Sequence, residues 1–270
     1  MRRKFVKSAR NAARGRALAG RADYLYSMPP PSTPHSFVRE PQSAKPAAPR
    51  ALSEWATGAR WIAAATAAVA WGGLALQYGL ALQFRPQSPG LVTLNFLSFF
   101  TNLSNLLVAF CLTGSVLTRL AWVAASPVCG AAALYITVTG AVYSIMLRGL
   151  WTPHGAWLAA DILLHDVVPA LYLIWWLMTA PRARLSWSSP LIWLGFPVIY
   201  AAWTLAHGAM SGFYPYPFLN VRRLGLGAVL INMLVIGAAM LVLGYLLVVI
   251  DRVLPRLLRR APAASPTEGA

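Results

Sequence analysis

Long blocks of apolar residues, separated by short polar stretches, dominate the chain from about residue 58 onward. A membrane-spanning helix needs about 20 predominantly apolar residues, and six of the blocks reach roughly that length. They run approximately from Gly58 to Leu82, Leu94 to Thr118, Val128 to Leu147, Leu158 to Met178, Pro190 to Met210 and Gly225 to Ile250. The pattern predicts an all-α protein, a polytopic integral membrane bundle of about six transmembrane helices.

The N-terminal part of the chain does not share this pattern. Residues 1–55 are rich in Arg, Lys, Ala, Pro and Ser and show no apolar period. A segment of this composition cannot bury enough apolar surface to offset the entropy lost on folding. We therefore predict a disordered basic cytoplasmic tail over 1–55, a six-helix transmembrane domain over 56–252 and a short cytoplasmic C-terminal tail over 253–270.

Composition and charge narrow the class of protein. The chain is 58% hydrophobic and 11% charged, whereas a soluble domain carries about 25% charged residues. Nucleic-acid binding would favour a basic surface, but the basic residues behind the net charge of +16 gather in the N-terminal part, in short loops and at the C-terminal end. With the N-terminus inside, 19 of the 23 Lys and Arg residues lie on the cytoplasmic side, and the four on the outer side are Arg85, Arg148, Arg222 and Arg223. Cytoplasmic positive charge predicts that both termini are inside, with no nucleic-acid partner.

The fourth apolar block carries ionisable residues, which are costly in hydrocarbon and often functional. Asp161 and His165 are four residues apart and share a helix face, whereas Asp166 is rotated by about 100° from His165. Other polar residues are expected at a similar depth near the outer boundary: Thr101, Asn102, Asn105, Asn232, His207 and Arg148. This asymmetry predicts a polar cavity near the outer leaflet. The alternative is that these side chains only bind neighbouring helices together.

The residue types at this depth suit ester hydrolysis. Thr101 is a candidate nucleophile, His165 a candidate general base and Asp161 a candidate orienting group. Asn102 or Asn105 is a candidate donor to the oxyanion that develops during ester cleavage. A membrane Thr commonly bonds back to its own helix or to a neighbouring one, which is the structural alternative for Thr101.

Two tyrosines are candidate gate residues, and two cysteines are considered as metal ligands. Tyr214 and Tyr216 lie in a stiff, proline-containing loop after the fifth block, which is either a substrate gate over the cavity or an interfacial anchor. His154 is expected in a solvated loop. Cys111 and Cys129 do not have the spacing of metal ligands, so we expect neither a disulfide framework nor a metal.

Three short motifs together resemble the androgen-induced-protein family of multi-span membrane proteins, which has bacterial members. They are Phe99-Phe100-Thr101-Asn102-Leu103-Ser104-Asn105-Leu106, His165-x-x-x-Pro169 and Tyr216-Pro217-Phe218-Leu219. The resemblance covers roughly residues 58–250. Characterised animal members are threonine hydrolases of fatty acid esters of hydroxy fatty acids, so it implies Thr101 as nucleophile and His165 as base. A bacterial member would lie in the plasma (inner) membrane.

Three functions are open at this point. The first is an intramembrane hydrolase without a cofactor, with membrane lipids and a small lipid ester as its partners. The second is a metal-dependent hydrolase that uses His165, His207 and Asp161 as ligands, although the chain has no HExxH-type spacing. The third is a non-enzymatic lipid-binding or transport protein whose polar cluster serves recognition or proton coupling.

Overall fold

The structure, a computed structural model, describes residues 50–117, 126–179 and 185–260, and these residues form helices without a β-strand. The α-helices are α1 (Arg50–Phe84), α2 (Pro89–Leu97), α3 (Phe100–Leu117), α4 (Ser126–Val142), α5 (Ala156–Ile162), α6 (Val168–Thr179), α7 (Ser189–Trp193), α8 (Gly195–Ser211), α9 (Val221–Leu224) and α10 (Leu226–Arg260). They are joined by π-helical turns at Tyr143–Leu147 and Leu163–Val167 and by a 3₁₀ turn at Pro217–Leu219.

Six helical stretches in the described part of the chain are long and apolar enough to cross a membrane. We call them spans 1 to 6: Gly58–Phe84, Phe100–Leu117, Pro127–Leu147, Ala156–Met178, Ser189–Ser211 and Leu226–Leu254. The predicted all-α bundle with six transmembrane helices is thereby confirmed. The architecture is that of a multi-pass membrane protein.

The surface of the bundle also suits a lipid environment. Ile199 on span 5 is 70% exposed, and Leu234 and Val242 on span 6 are 73% and 71% exposed. A soluble monomer rarely presents large contiguous apolar patches to water, because each would favour association. These spans therefore turn apolar side chains toward hydrocarbon.

The first and last long helices extend beyond the apolar blocks. Helix α1 begins at Arg50, inside the predicted tail, and α10 ends at Arg260, beyond the predicted domain end at residue 252. Ala, Leu, Glu and Arg at the first edge, and Leu and Arg at the second, are strong helix formers, so the helices continue past the apolar residues. The rest of the two predicted tails, residues 1–49 and 261–270, lies outside the described residues.

The predicted second helix, Leu94 to Thr118, is two helices rather than one. Helix α2 ends at Leu97 and α3 begins at Phe100. The two amide groups between them bond to carbonyls three residues earlier, at 3.1 and 3.4 Å, which closes a tight turn. The carbonyl oxygen of Ser98 accepts a hydrogen bond from the hydroxyl of Tyr200, on span 5, with the two oxygens 3.0 Å apart. Apolar periodicity missed the break because both pieces are equally apolar.

Spans 1 to 4 pack as a ring, each against the next and span 4 back against span 1. Span 6 packs against span 3, and α7 at the start of span 5 contacts both. The approach of span 3 to span 4 depends on Gly140, since a Cβ there would lie 3.2 Å from the carbonyl oxygen of His165. The ring therefore holds the ionisable residues of span 4 close to span 3.

Candidate active site

Thr101 is the second residue of α3 and is buried. Its N–H is one of the first four in the helix and has no partner within it. That N–H donates to the phenol oxygen of Tyr216 at 3.1 Å, and the Thr101 hydroxyl lies 3.2 Å from the same oxygen. Burial raises the pKa of Tyr216, so the phenol keeps its proton at neutral pH. Tyr216 can therefore accept from the Thr101 amide and donate to the Thr101 hydroxyl oxygen.

His165 lies in the π-helical turn of span 4 and is held by one turn of its own helix. Its Nδ1 is 3.0 Å from the carbonyl oxygen of Asp161 and 3.2 Å from the Asp161 Oδ1. Because a carbonyl oxygen only accepts, Nδ1 must carry the proton. Nε2 is then the basic nitrogen of the neutral ring, and no hydrogen bond between described residues engages it. This tautomer is the one that a general base requires.

Tyr143, on span 3, completes the surroundings of this imidazole. Its ring stacks on His165 with centroids 3.8 Å apart and an interplanar angle of 14°. Its hydroxyl donates to Oδ2 of Asp161, so the two carboxylate oxygens hold one partner each. Arg148 lies over the same Tyr ring, 4.9 Å from its centroid. Sequence reasoning did not select Tyr143, because nothing in an apolar helix indicates which tyrosine faces a histidine on another span.

The π-helical turn at His165 ends just before Pro169, a residue that has no N–H to donate. Val168 N–H bonds five residues back to the carbonyl of Leu163. The Leu164 carbonyl thereby loses its α-helical donor, and five residues on it meets Pro169, which has no N–H. It accepts instead from Asn105 Nδ2, on span 2, at 3.1 Å. Pro169 is thus the sequence signal for an irregular turn here, and such turns are frequent at functional sites.

Thr101 and His165 line one cavity of 440 Å³, which we call the site cavity. No hydrogen bond joins the two side chains in the part of the chain that the structure describes. The cavity wall consists of Gln77, Phe84, Arg85, Phe99, Thr101, Asn102, Tyr143, Leu147, Leu150, Trp151, Trp157, Asp161, His165, Pro215, Tyr216 and Pro217. The candidate nucleophile, base and orienting group therefore share one space.

No protein-family model, curated protein or solved structure matches this chain. The interpretation of the site accordingly depends on its geometry and on the motifs described above.

The two candidate oxyanion donors hold backbone carbonyls. Asn105 Nδ2 donates to the carbonyls of Thr101 at 2.9 Å and Leu164 at 3.1 Å, which occupies both of its hydrogens. Asn102 Nδ2 donates one hydrogen to the carbonyl of Phe96 at 2.8 Å. Asn105 therefore has no donor left for an oxyanion in this arrangement and joins spans 2 and 4. Asn102, which lines the site cavity, keeps one hydrogen.

A small recess of 50 Å³, which we call the alcove, adjoins the site cavity. Three buried amide oxygens on its wall have no hydrogen-bond partner among the described residues: Gln77 Oε1, Asn95 Oδ1 and Asn102 Oδ1. Buried acceptors are usually satisfied by ordered water, and the volume is enough for at least one molecule. The alcove therefore suits water beside Asn102.

The remaining ionisable residues lie apart from the pair formed by Asp161 and His165. His207 Nδ1 is 3.3 Å from the hydroxyl of Ser98, at the break between α2 and α3, and His207 does not line the site cavity. Asp166 pairs with Arg148 at a half-exposed position. Among the described residues, no group of three or more His, Cys, Asp or Glu side chains is placed to hold a metal ion. His207 therefore contacts the α2–α3 break rather than the candidate base.

The two candidate gate residues differ in position. Tyr216 is buried against Thr101 and lines the site cavity. Tyr214 packs over Gly208 at the end of span 5 and lines none of the cavities described here. Asn232 ties the loop to span 6 by donating to the Phe218 carbonyl at 2.8 Å. The loop thus forms part of the cavity wall through Tyr216.

The other candidate residues have simple surroundings. His154 is exposed in the loop between spans 3 and 4, as expected. Cys111 and Cys129 are buried and form no disulfide.

Proposed function

We propose that the protein is an intramembrane threonine-type hydrolase of lipid esters, with Thr101 as nucleophile and His165 as general base. One observation carries the proposal: Thr101 and a His165 whose Nδ1 is anchored by Asp161 line the same cavity. The motif resemblance to the androgen-induced-protein family supports it independently.

In the first half of the proposed reaction, Thr101 Oγ attacks the ester carbonyl carbon. The Oγ–C bond forms, the carbonyl π electrons move to oxygen, and the Oγ proton passes to His165 Nε2, directly or through one water molecule. Collapse of the tetrahedral intermediate breaks the ester C–O bond. The leaving alkoxide takes the proton from His165, and the acyl group stays on Thr101 as an ester.

The second half repeats this chemistry with water. His165 Nε2 takes a proton from a water molecule as its oxygen bonds to the acyl carbon. Collapse of the intermediate then breaks the Oγ–C bond, His165 returns the proton to Thr101 Oγ, and the fatty acid leaves. The alcove supports this step, because its unpaired amide oxygens suit ordered water beside Asn102. Asp161 holds the imidazole in the required tautomer and stabilises the imidazolium that forms twice per cycle.

Two hydrogen-bond donors lie beside the hydroxyl of Thr101 and suit the oxyanion. They are the Thr101 N–H, at the positive end of the α3 dipole, and the phenol of Tyr216. Without substrate, the Thr101 N–H donates to the phenol oxygen of Tyr216. The ester carbonyl oxygen would replace that phenol oxygen as the acceptor. Tyr216 is therefore a more direct oxyanion candidate than Asn105.

The surroundings favour a lipid with a polar end. Arg85 is exposed at the end of span 1 and lines both the site cavity and the alcove. Among the described residues it has no carboxylate partner, so its guanidinium is available to a substrate carboxylate. Fatty acid esters of hydroxy fatty acids carry such a group. We place the reaction in the plasma membrane if the protein is bacterial.

The proposal is tested by the hydrolysis of such an ester with purified protein in lipid nanodiscs. Thr101→Ala should reduce turnover to the uncatalysed background, whereas Thr101→Ser should retain it because the hydroxyl is kept. Equal turnover by the wild type and Thr101→Ala, with both folded, would contradict the proposal.

The alternative function is non-enzymatic lipid binding or transport. It is favoured by a second, apolar cavity of 510 Å³ between spans 3, 5 and 6. Binding of a lipid ester that is never cleaved, and that is unchanged in Thr101→Ala, would support this alternative over the hydrolase.

A further inference from the structure

The second cavity, which we call the interspan groove, meets the site cavity at Thr101. Its wall is made by Phe100, Thr101, Val138, Thr139, Val142, Leu147, Leu194, Pro197, Val198, Tyr200, Ala201, Tyr216, Phe218, Leu219, Leu230, Met233, Leu234, Ile236, Gly237, Ala238, Met240 and Leu241. Thr101, Leu147 and Tyr216 line both spaces. The candidate nucleophile therefore lies where a predominantly apolar space joins the cavity that holds Asp161, His165 and Arg85.

The groove exists because spans 5 and 6 diverge. They pack together at α7, where a Cβ on Gly244 would lie only 3.0 Å from the Pro190 Cβ, and they separate along α8. The resulting gap is lined mainly by aliphatic and aromatic side chains. Val198, Leu230 and Leu234 on its wall are 65%, 44% and 73% exposed, so the gap is accessible from the lipid-facing surface.

We propose that the interspan groove binds the acyl chain of the lipid ester, and that the site cavity receives the alcohol part that leaves. This inference rests on the proposed function. A straight apolar chain entering between spans 5 and 6 reaches Thr101 without passing a charged residue of the described chain. The groove volume of 510 Å³ falls within the range of about 300–1,000 Å³ that is typical of sites for small ligands.

This assignment fixes the direction of cleavage. The acyl group bound in the groove becomes the threonyl ester, and the polar alcohol departs toward Arg85 at the rim of the site cavity. Chain length in the acyl group should then control the reaction strongly. Each methylene group that an acyl chain can no longer bury in an apolar site lowers the affinity of that chain for the site by about fourfold.

Gly237, on span 6, allows the groove to be filled without moving its neighbours. It lines the groove, and a Cβ there would meet nothing within 4 Å. Gly227→Phe is the matched control, because Gly227 lies on the same span with equally open space and does not line the groove. Ala201→Phe narrows the groove from the opposite wall and guards against a folding defect specific to Gly237→Phe.

The test has one readout of catalysis and one of binding. In nanodiscs, hydrolysis of p-nitrophenyl butyrate and p-nitrophenyl palmitate is compared, and a diazirine-bearing palmitic acid is photo-crosslinked and mapped by mass spectrometry. We expect Gly237→Phe and Ala201→Phe to lower kcat/KM for the palmitate by about tenfold or more relative to kcat/KM for the butyrate, whereas Gly227→Phe should leave this ratio at the wild-type value. Crosslinks on spans 5 and 6 should be lost in both variants and kept in Gly227→Phe.

The outcomes separate this inference from the proposed function. If the wild type hydrolyses neither ester while crosslinks on span 6 are lost in Gly237→Phe, the hydrolase proposal fails and the groove is still an acyl-chain site. If the esters are hydrolysed with unchanged chain-length preference, and crosslinking is unchanged in both groove variants, the groove assignment is overturned.

Discussion

At the residue scale, the site is a chain of contacts that runs from Tyr143 through Asp161 to His165. The carboxylate accepts from the Tyr143 hydroxyl on one oxygen and lies 3.2 Å from the imidazole on the other. The stacked Tyr143 ring fixes the plane of the imidazole. The arrangement holds Nε2 as the nitrogen that is free to take a proton, which is the property that a base beside Thr101 needs.

The neighbouring carboxylates provide a matched test of this arrangement. We predict that Asp161→Asn lowers kcat by about 100-fold or more, because a positioned base contributes about 10²–10⁴. Asp166→Asn should change kcat by less than about threefold, since Asp166 pairs with Arg148 at a half-exposed position. The measurement is kcat with its pH profile for both variants. Equal losses in the two variants would contradict the orienting role of Asp161.

Tyr216 and Tyr214 form a second matched pair. Tyr216→Phe should lower kcat by about 100-fold through loss of an oxyanion donor, and Tyr214→Phe should leave it nearly unchanged. Burial raises the folded-state pKa of Tyr216, so its protonated form persists to higher pH than in the unfolded chain. Activity should therefore show no loss from Tyr216 ionisation below about pH 10. A Tyr216→Phe protein with wild-type kcat would contradict this role.

At the element scale, irregular helix geometry places the site. The break before Phe100 leaves the N–H of Thr101 without an intrahelical partner, and Tyr216 takes it. Two π-helical turns, one on span 3 and one on span 4, carry Tyr143 and His165. Regular helices at these points would turn the same side chains to other faces, because one residue of register rotates a side chain by about 100°.

Pro169 tests the importance of the π-helical turn. In Pro169→Ala an N–H becomes available to the carbonyl of His165, four residues earlier, which favours a regular α-helix. We predict unchanged or higher thermal stability, because an interior Pro costs about 3 kcal/mol relative to Ala, together with a fall in kcat of about tenfold. Thermal unfolding and kinetics measure the two effects.

Pro89→Ala is the control for the Pro169 variant. Pro89 is the first residue of α2, where no N–H is needed, so its loss should affect neither quantity. Full activity in a folded Pro169→Ala protein would show that the irregular turn is not needed.

The sequence predicted the elements better than their irregularities. Apolar blocks of the required length were sufficient to locate six spans, because every backbone group of a spanning helix must be satisfied within it. The spacing of Asp161 and His165 predicted their contact, because residues four apart lie on the same face of a helix. The break at Ser98 and the packing of Tyr216 on Thr101 depend on contacts between distant segments, which periodicity does not contain. Pro169 can signal an irregular turn, but no irregular turn was predicted from it.

At the scale of the whole molecule, the site joins two parts of the bundle. The ring of spans 1 to 4 holds Thr101, Asp161 and His165, while the loop between spans 5 and 6 supplies Tyr216. The divergence of spans 5 and 6 opens the interspan groove toward lipid. In the proposed reaction, the acyl chain would reach Thr101 from the side, and the polar alcohol part would leave toward the end of the bundle that carries Arg85.

The predicted orientation places this end outside the cell, and two exposed positions test it. Gly149 lies between spans 3 and 4, and Ser188 lies just before span 5. A membrane-impermeant maleimide should label Gly149→Cys in intact cells and Ser188→Cys only after lysis. Background should be low, because the native Cys111 and Cys129 are buried. The reverse labelling pattern would contradict cytoplasmic termini.

The measurement that tests the central claim most directly is labelling by a fluorophosphonate probe, with the modified residue mapped by mass spectrometry. An activated Thr101 displaces fluoride and forms an Oγ–P bond. We predict that the wild type and Thr101→Ser are labelled at residue 101 and that Thr101→Ala is not labelled. A folded wild-type protein that stays unlabelled, or a Thr101→Ala protein labelled to the same extent as the wild type, would contradict Thr101 as the nucleophile.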